Sequence, residues 1–150
     1  LIMAGDGSLR EKLSEQAREL GVENDTIFCG NKDQAWLISI IPLAAVVLSP
    51  HTGRALLEVA MAEIPIVAYD VDWQSELIET GVTGELVPHQ ALEEMADGAN
   101  RFLTNPEYAR AMGKSVRERA AEMMDPAKLN QHERNTYMKL LSNYSQSALW

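Results

Sequence analysis

The sequence predicts an α/β fold with a doubly wound, Rossmann-like parallel sheet and a helical C-terminal segment. Short apolar runs recur about every twenty residues as far as Val87, and a helix-forming segment separates each run from the next. The runs are continuously apolar rather than alternating, which is typical of parallel strands covered by helices on both faces. After Pro88 the apolar residues recur at helical spacing only.

Five strands and four intervening helices are expected in the first part of the chain. The apolar runs predict strands at 1–4, 26–29, 45–49, 66–69 and 84–87. Amphipathic spacing predicts helices at 8–20, 33–41, 54–62 and 73–80. Asp33 is placed to cap the second helix, and Pro42 to end it.

Four further helices are expected beyond Pro88. Their predicted ranges are 91–103, 107–112, 115–124 and 126–141, with a break at Gly113. Asn105 and Asp125 each precede a proline, so both are predicted N-caps. The tail at 142–150 is expected to pack against a neighbouring domain or to fray.

Composition excludes several classes of function. The chain has 150 residues, which fits one domain, and its net charge of −9 argues against non-specific nucleic-acid binding. The single cysteine, Cys29, excludes an internal disulfide and is expected to be a small buried hydrophobe. No apolar run approaches a membrane span and no signal peptide is evident, so a cytoplasmic location is expected.

The segment from Val46 to Glu58 carries the strongest chemical signal. A buried strand is expected to end in a Pro/Gly turn that opens directly into a helix. Gly53 permits close backbone approach, and the first N–H groups of the helix are free to bind an anion, with Arg54 able to grip a phosphate. Glu58 lies among apolar residues, so it is expected to be buried and to need a partner.

Two interpretations of this segment stay open from local chemistry alone. In one, the segment binds a ligand with a phosphate at one end and hydroxyls at the other. In the other, Arg54 is solvated and Glu58 pairs with an internal donor.

Gly5-Asp6-Gly7 follows a predicted strand and raises a dinucleotide-binding interpretation. The third glycine of that fingerprint would fall at Arg10, and no acid follows the second strand at the right distance. A plain tight turn is favoured instead.

A wider pattern connects these segments. The chain resembles the C-terminal, donor-binding half of family 4 (group 1) glycosyltransferases, which have the two-domain B-type fold, and the resemblance extends from about Leu1 to Met124. The motifs that carry it are Ala4-Gly5-Asp6-Gly7-Ser8-Leu9, Ile27-Phe28-Cys29-Gly30, Val47-Leu48-Ser49-Pro50, Leu56-Leu57-Glu58, Pro65-Ile66-Val67-Ala68, Glu76 and Thr83-Gly84-Glu85-Leu86-Val87-Pro88.

The resemblance implies retaining transfer of a hexose from a nucleotide diphosphate sugar to a glycan, lipid or small-molecule acceptor. It implies no cofactor and no bound metal, and it identifies no catalytic residue here. Glu58 would hold the ribose hydroxyls. The other implied contacts are Gly53, Arg54 and Ala55 for the diphosphate and sugar, His51 and Thr52 as further polar contacts there, and Asn31 and Lys32 for the base.

The resemblance also implies that residues 1–150 are a single domain, the nucleotide-sugar-binding half of a two-domain enzyme. The chain starts within a strand and without Met, so the first strand of this half and the N-terminal acceptor domain are expected elsewhere in a longer protein. The family takes an Arg and a Lys for the diphosphate from that strand. The isolated chain is therefore expected to be inactive, with peripheral membrane association only through the missing domain.

The chain departs from the family pattern at three places. Pro50 stands where the family has a Glu that contacts the donor sugar, Glu63 replaces a glycine, and Asp70–Trp73 replaces a glycine-rich turn. Trp73 is interpreted as a packing residue rather than a wall of the sugar pocket.

These departures keep other functions open. One is a non-catalytic nucleotide-binding or interaction module. Another is a related B-fold enzyme, either a sugar-nucleotide epimerase or a phosphorylase. The phosphorylase is disfavoured because its pyridoxal lysine has no counterpart between Asp33 and Gly113.

Overall fold

The computed structural model describes residues 1–147, apart from the side chains at 143 and 145–147. The last part of the predicted tail, 148–150, lies outside the described residues. The chain divides into two compact units, one comprising Leu1–Leu43 and the other beginning at Ala44. The assignment of residues 1–150 to a single domain stays a prediction.

The first unit is a parallel strand pair with its connecting helices. It contains β1 (Ile2–Ala4), α1 (Arg10–Glu19), a 3-10 turn (Glu23–Asp25), β2 (Ile27–Gly30), α2 (Gln34–Ile40) and a second 3-10 turn (Ile41–Leu43). Ile2 lies opposite Ile27 in the parallel register. The predicted cap of α2 is confirmed, because the Asp33 carboxylate accepts from the Trp36 N–H at 2.9 Å.

The second unit contains three parallel strands in the order β3-β4-β5. Its elements are β3 (Val47–Ser49), α3 (Arg54–Met61), β4 (Ile66–Tyr69), α4 (Gln74–Leu77), β5 (Glu85–Val87), α5 (Leu92–Thr104), α6 (Pro106–Met123) and α7 (Pro126–Ser147). The predicted α/β class with parallel strands and a helical C-terminal segment is confirmed. No helix within residues 1–147 combines the length and apolar character needed to cross a membrane.

Two expectations need correction. Hydrogen bonds divide the five described strands into a two-stranded and a three-stranded sheet. The predicted break at Gly113 is absent, because one helix runs from Pro106 to Met123 and Gly113 is buried within it. The predicted N-cap Asn105 is confirmed, since its side chain accepts from the Tyr108 N–H at 3.1 Å.

Strand β4 lies at the centre of the second unit, and all four of its residues are buried. Helix α5 crosses close to it, because a Cβ on Gly98 would lie 2.9 Å from the nearest methyl of Val67. Phe102, one turn further along α5, is almost completely buried in the same core. The continuous apolar run that predicted β4 therefore reflects a strand covered by helices.

Gly113 marks a close contact between α6 and the end of α3. A Cβ at this position would lie 2.0 Å from the Glu63 carbonyl oxygen, so glycine is required by space rather than as a helix break.

Glu63 has a φ of 60°, in the left-handed region. Its N–H bonds the Ala60 carbonyl and the Ile64 N–H bonds the Val59 carbonyl, which is the hydrogen-bond pattern of a Schellman cap. Glu63 thus occupies the position where glycine is usual, and its carboxylate pairs with Arg117 of α6.

We expect Glu63→Gly to be about 1 kcal/mol more stable than Glu63→Ala. Both variants lose the exposed ion pair with Arg117, and only glycine relieves the left-handed backbone. Urea denaturation of the two variants measures the difference. Equal stability, or a more stable alanine variant, would contradict the strain assigned to this position.

A buried acid links β5 to the C-terminal helices. The Glu85 side chain is 3% exposed and accepts two hydrogen bonds from Arg101, at 3.1 and 2.7 Å. The Tyr108 hydroxyl donates a third at 2.7 Å. The Tyr108 ring stacks on Phe102 with centroids 5.3 Å apart. Burial first, and then the bond to Glu85, raise the pKa of Tyr108 to about 12.

We expect Tyr108→Phe to weaken the fold and to change its response to alkali. Losing a hydrogen bond to a charged group costs about 1.5–3 kcal/mol. Because the pKa of Tyr108 is raised from 10.0 to about 12 on folding, its neutral phenol stabilises the fold fully below pH 10, and this contribution is lost as the pH rises toward 12.

Urea unfolding across this pH range tests the effect, with Tyr137→Phe on the exposed face of α7 as the matched control. The unfolding free energy of Tyr108→Phe should fall less steeply with pH than that of the wild type and the control. Parallel pH profiles for all three proteins would contradict the role of this phenol.

Candidate functional site

The predicted site residues from His51 to Glu58 lie at the carboxyl ends of the three-stranded sheet. Strand β3 ends at Ser49 and β4 ends at Tyr69, and the two strands are parallel neighbours. The loop from Pro50 to Gly53 and the turn from Asp70 to Trp73 therefore leave the sheet on the same edge. This edge is where ligands bind in open parallel sheets.

The first turn of α3 offers two free backbone donors. Gly53 precedes the helix with extended backbone, at φ 174° and ψ 172°. Its carbonyl accepts from the Leu56 N–H at 3.1 Å. Within the described part of the chain, the N–H groups of Arg54 and Ala55 have no acceptor. Both residues are exposed, and they lie at the positive end of the helix dipole.

Glu58 is less buried than the sequence predicts. Leu56, Val59 and Ala60 form the buried face of α3, whereas Glu58 lies on its flank and is only partly buried. The expectation of a fully buried acid is therefore wrong, because helical spacing separates it from the three core residues. Neither the expected internal donor nor any other partner for its carboxylate occurs among the described side chains.

Arg54 and Glu58 share one face of α3 but do not pair with each other. They are four residues apart, a spacing at which opposite charges commonly form an ion pair on a helix. No ion pair or hydrogen bond joins them in the structure of residues 1–147. A cation and a carboxylate thus stand open on the face that begins with the two free N–H groups.

The loop before α3 is fixed to the turn after β4 by an exposed hydrogen bond. The Thr52 hydroxyl donates to the Asp72 carboxylate at 3.1 Å. Asp72 has a φ of 54°, a left-handed conformation that Asp tolerates better than most residues. His51 is exposed, and its carbonyl lies 3.2 Å from the Ser49 hydroxyl, as the more distant of the two acceptors for the single hydroxyl proton.

A second link, between the residues that flank these two segments, is buried. The Ser49 hydroxyl donates to the Gln74 side-chain oxygen at 2.8 Å, and the Gln74 amide donates to the Tyr69 carbonyl at 2.8 Å. Gln74 is 0% exposed. One side chain therefore joins the carboxyl ends of β3 and β4.

Sequence reasoning missed Gln74, although a signal was present. Gln74, Leu77 and Ile78 recur at helical spacing, which places all three on one face of the helix predicted at 73–80. Leu77 and Ile78 are also fully buried. A polar side chain on such a face must find hydrogen-bond partners, so the spacing alone indicated a buried polar link.

The predicted base-binding residues belong to the first unit. Asn31 and Lys32 directly follow β2 and are exposed. The Lys32 ammonium lies 5.5 Å from the centroid of the Trp36 ring, within the range of a cation–π contact. Cys29, at the end of the same strand, is a free thiol and only partly buried, which corrects the expectation of a buried residue.

Two of the residues that depart from the family pattern, Pro50 and Trp73, lie around the same edge of the second unit. Pro50 is exposed directly after β3, and Trp73 is half-buried at the start of α4. Glu76 is exposed in the first turn of α4.

A separate apolar depression lies at the opposite end of the three-stranded sheet. It has a volume of about 320 Å³, and Ala45 and Pro65, which line it, precede β3 and β4. Because it lies at the amino ends of the strands, it is distinct from the candidate site. No cluster of three metal-ligating side chains occurs in the part of the chain that the structure describes.

Comparisons with known proteins identify the family and the fold. The family model described as "Glycosyl transferases group 1" matches residues 1–119. An alpha-D-kanosaminyltransferase from Streptomyces kanamyceticus is 33% identical over 129 residues, which are 83% of this chain and 31% of that protein. A glycogen synthase from Mycobacterium tuberculosis is 29% identical over 129 residues, with the same coverage. The chain thus spans about a third of the length of these curated relatives.

Solved structures share the fold. A sucrose-phosphate synthase from Thermosynechococcus elongatus matches 95% of this chain and 38% of its own, with a TM-score of 0.78 and 24% identity. The Anabaena protein HepE in complex with UDP-glucose matches 92% of this chain and 40% of its own, with a TM-score of 0.77 and 24% identity. At these identities the likeness establishes the fold.

Proposed function

We propose that this chain, which belongs to the glycosyl transferases group 1 family, forms the donor-binding half of a glycosyltransferase. The donor would be a nucleotide diphosphate sugar, from which the whole enzyme transfers a hexose to a glycan, lipid or small-molecule acceptor with retention of configuration. The N-terminal acceptor domain would complete the enzyme. The acidic composition of this chain favours a cytoplasmic location for the enzyme.

The observation that carries the proposal is the open face of α3. Two free backbone N–H groups, the Arg54 guanidinium and the Glu58 carboxylate follow one another along this helix without internal partners among the described residues. Donors and a cation suit a diphosphate, whereas a carboxylate accepts hydrogen bonds from vicinal hydroxyls. A ligand with both groups matches this order, and a nucleotide diphosphate sugar has both.

The proposed roles follow from this order of charge. The diphosphate would bind the Arg54 and Ala55 amides beside Gly53, and the Arg54 guanidinium would stabilise negative charge as the nucleotide leaves. Glu58 would bind the ribose hydroxyls. His51 and Thr52 would contact the sugar side, and Asn31 and Lys32 the base. No metal is required for these contacts.

The UDP-glucose complex of HepE supports this class of donor. The alpha-D-kanosaminyltransferase and the glycogen synthase support the reaction class, since 129 residues of this chain match about a third of the length of each.

Glu58→Ala tests the proposal through the direction in which it changes nucleotide affinity. We expect the full-length protein to bind one of UDP, GDP or ADP, and the variant to lose about 1–3 kcal/mol of that affinity, as charged hydrogen bonds are removed. Isothermal titration calorimetry measures both proteins. Glu76→Gln, an exposed acid on α4, serves as the matched control and should change affinity less than about twofold.

An unchanged or raised affinity in Glu58→Ala would also be informative, because the ligand is an anion. If Glu58 only stood near the diphosphate, removing its negative charge would leave affinity unchanged or raise it. Either result would contradict the ribose role, and a wild-type protein that binds none of the three nucleotides would contradict the proposed donor.

A second candidate is a nucleotide-binding module without catalysis. Pro50, which lacks a polar side chain, stands where the resemblance places a sugar-contacting Glu, and this favours loss of the sugar contact. Nucleotide binding without sugar transfer by the full-length protein, across UDP-, GDP- and ADP-hexoses, would distinguish this candidate from the enzyme.

A further inference from the structure

We propose that Gln74 is a positioning residue that holds the loop from Pro50 to Gly53 in the shape needed to receive the donor diphosphate. This inference rests on the proposed function for its ligand, and on the hydrogen bonds of Gln74 for its mechanics. Gln74 contacts no proposed ligand group, and it acts through the Ser49 hydroxyl at the end of β3.

The geometry gives Gln74 two different hydrogen-bond roles. Its side-chain oxygen accepts from Ser49, and its amide nitrogen donates to the Tyr69 carbonyl, both at 2.8 Å. Glutamine has one acceptor and one donor end in a fixed plane, so it matches a hydroxyl on one strand and a carbonyl on the next. Because Gln74 is completely buried, water does not compete for either bond.

The buried link complements the weaker exposed one. The bond from Thr52 to Asp72 joins the same loop to the same turn, but it is exposed and 3.1 Å long. The Ser49 hydroxyl also reaches the His51 carbonyl at 3.2 Å, so the residue held by Gln74 contacts the loop directly. Loss of Gln74 removes the buried link and leaves the exposed bond from Thr52 to Asp72 in place.

The consequence for the site is entropic. A loop fixed before binding loses less conformational freedom when it receives a ligand than a mobile one does. The loop leads directly into Gly53 and the free N–H groups of Arg54 and Ala55. A loosened loop would therefore weaken nucleotide binding without removing any group that touches the nucleotide.

Gln74→Met is the variant that tests this role. Methionine preserves the length and burial of the side chain and removes both hydrogen bonds. The groups left behind keep partners, since Ser49 still reaches the His51 carbonyl and the Tyr69 carbonyl still accepts from the Val71 N–H at 2.9 Å. The variant is therefore expected to fold.

Thr83→Val is the matched control. Thr83 is 3% exposed, and its hydroxyl donates to the Leu77 carbonyl and accepts from the Glu79 N–H, each at 2.8 Å. It precedes β5 and so lies at the amino end of the parallel sheet. The Thr83→Val variant therefore loses a comparable buried polar link in the same unit, at the end of the strands opposite to the loop.

The first measurement needs no nucleotide. The ¹⁵N-labelled full-length protein reports the order of the loop through the backbone order parameters at 51–54. These should be about 0.85 in the wild type and in Thr83→Val, and they should fall toward about 0.6 in Gln74→Met. Ser49→Ala, which also removes the contact with the His51 carbonyl, should cause at least as large a fall. Adding Gln74→Met to Ser49→Ala should lower the order parameters no further, because both changes remove the bond between Ser49 and Gln74. Unchanged loop order in Gln74→Met, or additive effects, would overturn the positioning role.

The second measurement is UDP, GDP and ADP affinity by calorimetry. For the nucleotide that binds the wild type, we expect Gln74→Met to weaken binding by about tenfold and Thr83→Val by less than about twofold. Equal losses in both variants would reduce Gln74 to a general stability role. If the wild type binds none of the three, the proposed function fails, while the order parameters still decide whether Gln74 holds the loop.

Discussion

The second unit depends on the complete burial of β4. Both edges of this strand are paired, to β3 and to β5, and its four residues are covered on both faces. Because the strand is enclosed in this way, its polar contacts with segments outside the sheet are confined to its ends. Because all three strands run parallel, their carboxyl ends meet at one edge, and the loop before α3 and the turn before α4 are brought together there.

Buried polar links then determine how much of this edge is fixed and how much stays open. Gln74 forms hydrogen bonds with the Ser49 hydroxyl and the Tyr69 carbonyl at the ends of β3 and β4. The Glu85 carboxylate accepts hydrogen bonds from Arg101 and Tyr108 of the C-terminal helices. These links saturate the groups that are buried, whereas Arg54 and Glu58 have no internal partner among the described residues. The contrast separates structural polar groups from the groups available to a ligand.

The close contact of α6 with the end of α3 fixes the helix that carries these open groups. Gly113 leaves room for the Glu63 carbonyl, and Arg117, one turn further on, pairs with the Glu63 side chain. The left-handed Glu63 is thus held from two directions by one helix. This arrangement makes a residue other than glycine tolerable at the cap of α3.

The sequence predicted the elements whose signals are local. The apolar run of β4 gave its observed bounds, and the Asp33 and Asn105 caps were visible as single polar residues before helices. Gly113 was misinterpreted because a helix break and a close helix contact both favour glycine, and only the position of the Glu63 carbonyl distinguishes them.

The site was predictable only in part. The order of Gly53, Arg54 and Glu58 along the chain indicated phosphate and hydroxyl chemistry from local spacing. The exposure of Glu58 depends on which face of α3 meets the core, and the partners of Glu85 lie 16 and 23 residues further along the chain. Gln74 had a periodicity signal, but its partner Ser49 is 25 residues away. Such pairings follow from the fold rather than from any local pattern.

The most direct test of the central claim is a crystal structure of the full-length protein with UDP, GDP or ADP bound. The account predicts diphosphate oxygens about 3 Å from the Arg54 and Ala55 amide nitrogens, and ribose hydroxyls within hydrogen-bond distance of the Glu58 carboxylate. A nucleotide bound elsewhere, with the Glu58 carboxylate facing only solvent, would contradict it.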